Sequence, residues 1–330
     1  MRARFHIMVL IITGIASLKA GEYADAFLLA SQYPHAQSLG YSSVAATVTS
    51  GHAMNNPAGF ALIKKPQINM VYEQFGGLAS NVGVEASMVT RSSYAIGITI
   101  IHNSVADLYY RPNLSGLTPI TRRDSVLSLG VGAGNSINYR EDALFLTVAH
   151  EYTFEINMGW KFFKIPCRLP LGFSLKYLDK VLVDNRGIGS GIDFGGQLLF
   201  NLAGMNQILE QTEFGIGLFF SDILNTPVYW TTEHQDAIKR GLATGYSVSQ
   251  NLLNYSSRVS FTYASQSRYK NVSQYGVELN LKNTVYLRGG HDGYMPSFGL
   301  GIALKKFIID YSFSQHELAK MQKIGINYKF

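Results

Sequence analysis

The stretch Ala143-Leu144-Phe145-Leu146-Thr147-Val148-Ala149-His150-Glu151-Tyr152-Thr153-Phe154-Glu155-Ile156 decides the fold class of this chain. Every second residue from Leu144 to Ile156 is apolar at six of seven positions, whereas the residues between them are mostly small or polar. Because successive side chains of a strand point to opposite faces, this alternation predicts a strand with one apolar face. A strand of this length suits the crossing of a membrane.

The same alternation recurs along the chain from Pro66 to the end. In four further segments the apolar members alternate with small or polar residues, and they are Tyr94, Ile96, Ile98 and Ile100; Phe214, Ile216, Leu218 and Phe220; Val259, Phe261 and Tyr263; and Phe307, Ile309, Tyr311 and Phe313. Segments of about ten residues with this pattern, separated by turn residues, are typical of transmembrane barrels. The sequence therefore predicts an all-β protein, a transmembrane antiparallel β-barrel.

Fifteen segments qualify as strands, and they lie at 66–76, 81–90, 93–104, 124–132, 143–157, 169–184, 188–202, 212–221, 239–249, 255–265, 272–282, 284–291, 296–304, 305–315 and 320–330. Single-chain bacterial barrels have even strand numbers. We therefore expect about 14 strands and regard 124–132 as the segment that is not one. The longer connections at 105–123 and 222–238 are predicted to be extracellular loops.

A soluble β-sandwich also alternates, so the pattern alone does not exclude one. Three features favour the membrane barrel: the strands are long, they fill nearly all of the chain after Pro66, and the chain ends on one. The last strand places Ile324, Ile326, Tyr328 and Phe330 on one face. Its aromatic end resembles the C-terminal assembly signal of outer-membrane barrels. This resemblance implies two partners, the barrel-assembly machinery during biogenesis and outer-membrane lipid afterwards.

Residues 1–20 are predicted to be a secretory signal peptide. Arg2 and Arg4 give a positive start, residues 5–15 are mostly apolar, and small residues follow to Ala20. The apolar stretch is shorter than the roughly 20 residues that a transmembrane helix needs. We expect cleavage after Ala20 and export to the outer membrane of a Gram-negative bacterium. The Arg-rich start and the length disfavour the competing interpretation, a buried N-terminal strand or helix.

Composition and charge limit the possible partners. The 20 Tyr, 19 Phe and 32 Gly among 330 residues favour strands and tight turns. The net charge of +6 falls to +3 when Arg2, Arg4 and Lys19 leave with the signal peptide, so nucleic-acid binding is not expected. Cys167 is the only cysteine, and we predict a packed residue rather than a disulfide, a metal ligand or a lipid anchor.

The sequence contains no recognisable motif for catalysis, a cofactor or a metal. Residues 130–135 superficially resemble a dinucleotide-binding loop, but the third glycine is misplaced. His150, His291 and His316 lack metal-ligand spacing with acidic or cysteine partners. No nucleophile motif is present. We predict a protein that is not an enzyme and holds no cofactor or metal, although catalytic groups assembled from distant segments escape such a search.

Four stretches together resemble one family. They are Asn55-Asn56-Pro57-Ala58-Gly59-Phe60-Ala61; Leu171-Gly172-Phe173-Ser174-Leu175-Lys176-Tyr177-Leu178 with Gly187-Ile188-Gly189-Ser190-Gly191-Ile192-Asp193-Phe194-Gly195; Asp222-Ile223-Leu224-Asn225-Thr226-Pro227-Val228-Tyr229-Trp230; and Phe298-Gly299-Leu300-Gly301 with Ile309-Asp310-Tyr311-Ser312-Phe313. The first resembles the segment that leads into the first strand of FadL-like barrels, specifically of the PorV/PorQ family. The others are similar to that family's central hairpin, its Asn-x-Pro-x-x-Trp loop and its last hairpins. Residues 103–142 depart from the pattern.

The resemblance implies a FadL-like barrel, residues 63–330, with an N-terminal helical or irregular plug, residues 21–62. Residues 21–59 fit a plug because they lack two-residue periodicity and are rich in Ala, Ser, Asn and Gly. A barrel of about 14 strands also leaves a lumen that water, loops or a plug must fill. The plug and first-strand signature consists of Asn55, Asn56, Pro57, Ala58 and Gly59, and the loop signature consists of Asn225, Pro227 and Trp230.

Three functions remain open at this point. Some members of the family that the chain resembles act in type IX secretion, so the main hypothesis is a secretion accessory with type IX components and their cargo proteins as partners. The alternative is a FadL-type channel for hydrophobic small molecules. The third is a structural barrel without cargo. Type IX components encoded in the source genome would favour the first.

Five charged residues are predicted to face the lumen, and they are Lys176, Asp193, Arg258, Arg288 and Asp310. Charge inside a barrel is expected whether it lines a transport path or forms ion pairs. We favour ion pairs that hold the plug and the wall together.

Overall fold

The computed structural model describes residues 27–28, 33–46, 50–76, 79–105, 108, 114–128, 137–159, 164–202, 207–315 and 320–330. The predicted signal peptide, residues 1–20, lies outside the described residues, as does the dinucleotide-like stretch. No helix in these ranges is long and apolar enough to cross a membrane.

Strands make up most of the described chain. They are β1 (Gln67–Phe75), β2 (Ala79–Val89), β3 (Tyr94–Val105), β4 (Tyr139–Asn157), β5 (Lys164–Leu182), β6 (Asn185–Asn201), β7 (Thr212–Ser221), β8 (Thr226–Trp230), β9 (Gln235–Ile238), β10 (Gly241–Leu252), β11 (Ser257–Ser267), β12 (Asn271–Leu281), β13 (Val285–His291), β14 (Pro296–Leu304), β15 (Phe307–Gln315) and β16 (Lys320–Lys329). The helices are α1 (Pro34–Ser38), α2 (His52–Asn55), α3 (Pro119–Ser128) and α4 (Gln207–Glu210), and 3-10 turns lie at Ser43–Ala45, Pro57–Leu62 and Leu253–Tyr255.

The sheet closes on itself. The hydrogen-bonded neighbours follow the order β5-β4-β3-β2-β1-β16-β15-β14-β13-β12-β11-β10-β7-β6. The first strand of this series, β5, also pairs with the last, β6, which closes the ring. The closed ring contains β1–β7 and β10–β16, which are 14 antiparallel strands. The hairpin of β8 and β9 is not a member of this ring, and it pairs with β6 beyond the end of β7. The predicted barrel of about 14 strands is therefore confirmed.

The strands are inclined to the barrel axis. A path that follows the paired residues once round the ring ends on β1 at a residue 14 positions away from its start, which is the shear of the barrel. A barrel in which this displacement equals the strand number has strands tilted by about 36°. About 9–11 residues then cross the hydrocarbon layer. Consequently β4 and β5, with 19 residues each, extend beyond the membrane.

The two faces of the wall have the composition of a membrane barrel rather than of a soluble one. Ile96, Ile98 and Ile100 point outward and are 42–51% exposed, whereas Glu85 and Thr99 point inward and are fully buried. A soluble sandwich has the opposite arrangement, with its apolar face inside. The soluble alternative is therefore wrong, and the apolar faces predicted for β3, β4, β7 and β15 lie outside.

The two ends of the barrel differ. Residues Gln67 and Lys329 pair at one end, which we call the terminal end. Most connections there are short, whereas 106–138 and 222–240 join strands at the opposite end, which we call the loop end. Outer-membrane barrels have short periplasmic turns and longer extracellular loops. The loop end is thus the expected extracellular side.

Both long connections contain regular structure. The segment 124–132, which we expected not to be a strand, includes the end of helix α3. The prediction that 222–238 is a loop is wrong, because β8 and β9 form a hairpin there. Between Phe194 and Gly189 of β6, the opposing chain advances from Phe220 to Val228, so three extra residues bulge out between β7 and β8. The hairpin thus continues β7 past a bulge that period-two counting does not detect.

Candidate functional site: the plugged lumen

The described residues between Phe27 and Leu62, which we call the plug, fill the lumen. Helix α1 packs against β13–β16, the turn at Ser43–Ala45 contacts β6, β7, β10 and β11, and the turn at Pro57–Leu62 contacts β3–β6. Nearly all described side chains of the plug are buried. The plug therefore touches the wall on several sides.

One polar attachment of the plug is at Glu85 on β2, whose side chain is fully buried. Its carboxylate lies 2.8 Å from His52 Nδ1 and accepts hydrogen bonds from the backbone N–H groups of Gly51 (3.2 Å) and Ala53 (3.5 Å). The wall residues Asn69 and Thr99 donate at 2.9 and 3.4 Å. These N–H groups belong to the start of α2, where unpaired donors favour an anion. Glu85 therefore joins the first turn of α2 to the wall.

The signature residue Asn56 also joins the plug to the wall. Its Nδ2 donates to the carbonyls of Val44 (2.8 Å), Leu218 (3.3 Å) and Gly196 (3.4 Å), and its Oδ1 accepts from Ala58 N (3.0 Å). The neighbouring Asn55 bonds within the plug, to Ser43. Pro57 begins the 3-10 turn that leads toward β1. The signature thus lies inside the lumen.

Further polar pairs fasten the rest of the plug. Gln37 of α1 bonds both Ser312 (2.6 Å) and Ser314 (2.8 Å) of β15. The hydroxyl oxygens of Ser42 and Thr262 are 2.6 Å apart. All five residues are buried. Since an unpaired buried polar group is costly, these bonds fix the position of the plug.

Wall glycines allow the plug to approach the strands closely. A Cβ at Gly172 would collide with the backbone of Pro57, and one at Gly290 would collide with Leu39. The wall glycines whose added Cβ would lie less than 3.0 Å from an atom of the plug are Gly97, Gly172, Gly195, Gly215, Gly217, Gly245, Gly276, Gly290 and Gly299. Their spread over many strands shows that the fit surrounds the plug.

Arg288 and Asp310, two of the five charged residues predicted to face the lumen, form an ion pair. Arg288 Nη1 lies 2.6 Å from Asp310 Oδ1, and Arg288 Nε lies 2.6 Å from Glu278 Oε2. His35 of α1 approaches the same Glu278 at 3.5 Å. This cluster therefore links β12, β13 and β15 with the plug.

Lys176 and Asp193 form a second cluster, at the bulge after β7. Lys176 Nζ lies 2.8 Å from Asp193 Oδ1 and 2.6 Å from Asp222 Oδ1. Arg268 reaches Asp222 at 2.7 Å. Asp222 has a positive φ of 54°, and its backbone N–H donates to Asp193 at 2.7 Å. The cluster fastens the bulge to the wall.

Arg258, the fifth predicted lumen charge, belongs to neither cluster. Its side chain is 34% exposed and pairs with Glu213 at 2.8 Å near the terminal end. Arg168 bonds the same glutamate at 2.6 Å. The alternation in β11 predicted that Arg258 points inward. It did not predict the position along the barrel axis, and the structure places Arg258 at the rim of the terminal end.

The loop signature has a structural place in the β8–β9 hairpin. Asn225 Oδ1 accepts from Arg240 N at 2.9 Å, and Trp230 Nε1 donates to Asp236 at 2.8 Å. Pro227 lies in β8 opposite Ala237. These residues hold the bulge and the hairpin together rather than forming a separate site.

The C-terminal aromatics belong to a belt on the outer wall at the terminal end. The ring of Tyr328 lies 4.8 Å from Phe307 and 4.9 Å from Phe330. Tyr94 and Tyr152 flank His150 at the same end. Aromatic girdles mark the membrane interface of such barrels. That Tyr328 and Phe330 also act as an assembly signal stays a prediction.

One side of the lumen carries a cluster of apolar side chains near the loop end, a feature that sequence reasoning missed. Five inward side chains near the loop end are at most 2% exposed and belong to one packed cluster, and they are Ile101, Phe145, Leu178, Val228 and Ile238. We call them the apolar strip. Phe27, Leu28 and Met54 of the plug belong to the same cluster. The Lys180–Glu141 pair, at 2.8 Å, borders it. The sequence does contain a sign of this cluster, because apolar residues such as Ile101 and Phe145 occur on the otherwise polar or small face of predicted strands.

Among the described residues, no group of three His, Cys, Asp or Glu side chains could hold a metal ion. Cys167 is buried and free. The residues brought together in the lumen are suited to holding a plug and contacting apolar groups.

Comparison with known proteins finds similar architecture only among solved structures. No family model matches the chain, and no curated protein sequence matches it. A Pseudomonas aeruginosa FadL homologue has 9% identity and a TM-score of 0.42, over 91% of this chain and 98% of that one. The P. putida toluene transporter TodX has 7% identity and a TM-score of 0.41, over 92% and 99%. The KdgM porin has 9% identity and a TM-score of 0.37, over 80% and 99%. At this level the similarities bear on neither ligand nor mechanism.

Proposed function

We propose that this protein is an outer-membrane channel for hydrophobic small molecules, closed by its plug in this structure. The observation that carries the proposal is the apolar strip. The interior of a transmembrane barrel is normally polar, because it holds water or polar filling. Near the loop end, five buried apolar side chains instead pack with the plug, and an apolar molecule would take the place of the plug residues against them.

The strip lies where a molecule entering from the loop end would first meet the interior. Val228 and Ile238 belong to the hairpin at that end, and Leu178 is on the adjoining part of β5. The cluster continues to Phe145 and then to Met54 of the plug. Passage beyond that point requires the plug to move, because Asn56 and its neighbours fill the lumen.

The secretion accessory remains a second proposal, which rests on the resemblance to the PorV/PorQ family at the four quoted stretches. Its partners would be type IX secretion components and their cargo proteins. None of the contacts described above favours a protein cargo over a small molecule. The channel is preferred because the side chains of the apolar strip are all aliphatic or aromatic, which suits contact with an apolar ligand.

Uptake by whole cells tests the proposal. The protein is expressed in a bacterial host that lacks its own major porins, and the initial uptake of a radiolabelled aromatic hydrocarbon is compared with that of a charged solute of similar size. We expect a several-fold increase for the hydrocarbon alone. Unchanged hydrocarbon uptake would contradict the channel, and loss of surface proteins on deletion in the native host would then favour the secretion role.

A matched pair of variants assigns any uptake to the strip. Leu178→Asn places an amide in the strip, whereas Leu199→Asn makes the same change at another buried leucine, outside the cluster. We expect Leu178→Asn to reduce hydrocarbon uptake several-fold and Leu199→Asn to leave it close to the wild type. Heat-modifiable mobility on gels verifies that both barrels fold. Equal effects of the two changes would argue against the strip as the path.

A further inference from the structure

Positive charge is concentrated in one sector of the wall. The stretch 237–277 contains Lys239, Arg240, Arg258, Arg268 and Lys270 but no aspartate or glutamate. All of these except Arg258 lie at the loop end, at the β9–β10 junction and in the β11–β12 turn. The sector therefore has a net positive rim on the expected extracellular side.

The two basic turns are neighbours in the structure. The pairing of Leu242 with Ser267 brings the β9–β10 junction beside the β11–β12 turn. Lys239 Nζ lies 5.7 Å from the centre of the Tyr269 ring. Arg268 already bonds Asp222, whereas Lys239, Arg240 and Lys270 are exposed. These three side chains form a basic cluster facing solvent.

A groove on the outer wall adjoins this cluster. It has a volume of about 270 Å³, and its lining includes Asn271, Ser273, Tyr275, His291 and Tyr294. Tyr275 and Tyr294 are 54% and 62% exposed. Lys270 directly precedes the lining residue Asn271. The groove combines aromatic faces with amide, hydroxyl and imidazole groups, a combination that suits a sugar ring.

The groove and the cluster lie at the edge of the apolar outer surface. Further toward the terminal end on the same strands, Phe261 and Val277 point outward and are 56% and 43% exposed. Tyrosine is enriched at this depth, where its ring is apolar and its hydroxyl is wet. Lipid headgroups of the adjoining leaflet lie at the same level.

We propose that this surface binds the phosphorylated sugar headgroup of an outer-leaflet glycolipid. The phosphates contact Lys239, Arg240 and Lys270, and a sugar unit occupies the groove beside Tyr275 and Tyr294. Flexible lysine and arginine side chains near a membrane surface attract anionic headgroups. Within 237–277 no carboxylate repels such a ligand, and the carboxylate of Asp292, in the turn that lines the groove, accepts hydrogen bonds from Tyr294 N and Met295 N at 2.8 Å.

Binding of purified bisphosphorylated lipid A to the full-length protein in a zwitterionic nanodisc tests the proposal. The triple variant Lys239→Gln, Arg240→Gln and Lys270→Gln is compared with a control, Lys305→Gln with Lys306→Gln, whose two lysines lie in an exposed turn at the terminal end. We expect the triple variant to bind about 10–100-fold more weakly. The control and the wild type should bind alike, and salt should weaken both.

Two further probes identify the source of the phosphate and the role of the groove. Tyr294→Ala should weaken lipid A binding several-fold, and millimolar inorganic phosphate should fail to displace the lipid. Heat-modifiable mobility verifies folding of each variant. The proposal is overturned if the triple variant binds as tightly as the control, if dephosphorylated lipid A binds equally well, or if inorganic phosphate displaces the lipid completely.

Discussion

The two sides of the lumen hold the plug by different forces. On one side, the inner faces of β10–β16, β1 and β2 carry buried polar groups such as Glu85, Thr262 and Ser312, which bond the plug directly. We call this side the polar wall. On the other side, the apolar strip from Ile101 to Ile238 contacts the plug through Phe27 and Met54, and the polar contacts are fewer, from Asn56 to backbone carbonyls of β6 and β7 and from Gln197 of β6 to the plug.

This difference assigns separate roles to the two sides. Hydrogen bonds are directional, and breaking a buried one without replacement is costly, so the polar wall fixes where the plug lies. Apolar contacts are not directional, and an apolar ligand replaces them at little cost. We therefore expect a ligand to enter along the strip and the polar wall to resist opening.

Removing the buried carboxylate of the polar wall should have the largest effect. Glu85→Ala leaves His52, Asn69, Thr99 and two backbone N–H groups without their shared acceptor. We expect the free energy of unfolding to fall by about 3–5 kcal/mol, because the buried His52 and the other donors lose their charged partner. Thermal unfolding and the rate of protease cleavage within the plug measure it.

The control for this change is Glu155→Ala, at a carboxylate that is 56% exposed and pairs with Lys164. This control change should lower the free energy of unfolding by less than about 1 kcal/mol. A Glu85→Ala variant whose plug is as protease-resistant as that of the control would show that the polar wall does not fix the plug.

Adding a methyl group where the plug contacts a wall glycine should have an intermediate effect on the free energy of unfolding. Gly172→Ala directs a methyl group into the backbone of Pro57, and overpacking of this kind costs about 1–3 kcal/mol. The same change at Gly289, where no atom lies within 4 Å of an added Cβ, should be nearly neutral. Midpoints of denaturant unfolding compare the two. Equal midpoints would mean that the plug lies elsewhere in the lumen.

The smallest effect is expected at the rim. Arg258 is 34% exposed and pairs with Glu213, which Arg168 also bonds. Arg258→Ala should cost no more than about 1 kcal/mol, because exposed ion pairs contribute little. Its unfolding midpoint should match that of the wild type within this margin, and a loss as large as that for Glu85→Ala would move Arg258 into the set that secures the plug.

Sequence periodicity was sufficient for the wall because the alternation of apolar and polar residues directly reflects which face meets lipid. The β7 segment, for example, was predicted at 212–221, and the structure has Thr212–Ser221. The β8–β9 hairpin was missed, because the three-residue bulge and Pro227 interrupt the alternation. Local pattern thus predicts strands where the pairing is regular.

The contacts inside the lumen were largely beyond sequence reasoning. Glu85 was not singled out, because its partners come from the plug and from two neighbouring strands. Lys176, Asp193, Arg288 and Asp310 were identified as inward charges, but Asp222 was not, because a bulge turns it into the cluster. Such juxtapositions depend on register and tilt, which the sequence does not display.

The plug must move for a hydrophobic molecule to pass, and locking the plug to the polar wall tests this requirement. In a Cys167→Ala background, Ser42→Cys with Thr262→Cys replaces two hydroxyls whose oxygens are 2.6 Å apart, one on the plug and one on β11. Thr147→Cys with Ser174→Cys is the matched control, because its hydroxyl oxygens are also 2.6 Å apart but both belong to the wall.

The measurement is hydrocarbon uptake by cells carrying each oxidised pair, before and after reduction. We predict that the plug-to-wall disulfide abolishes uptake, that reduction restores it, and that the wall-to-wall disulfide has no effect. Undiminished uptake with the plug-to-wall disulfide fully formed would show that passage does not require the plug to move.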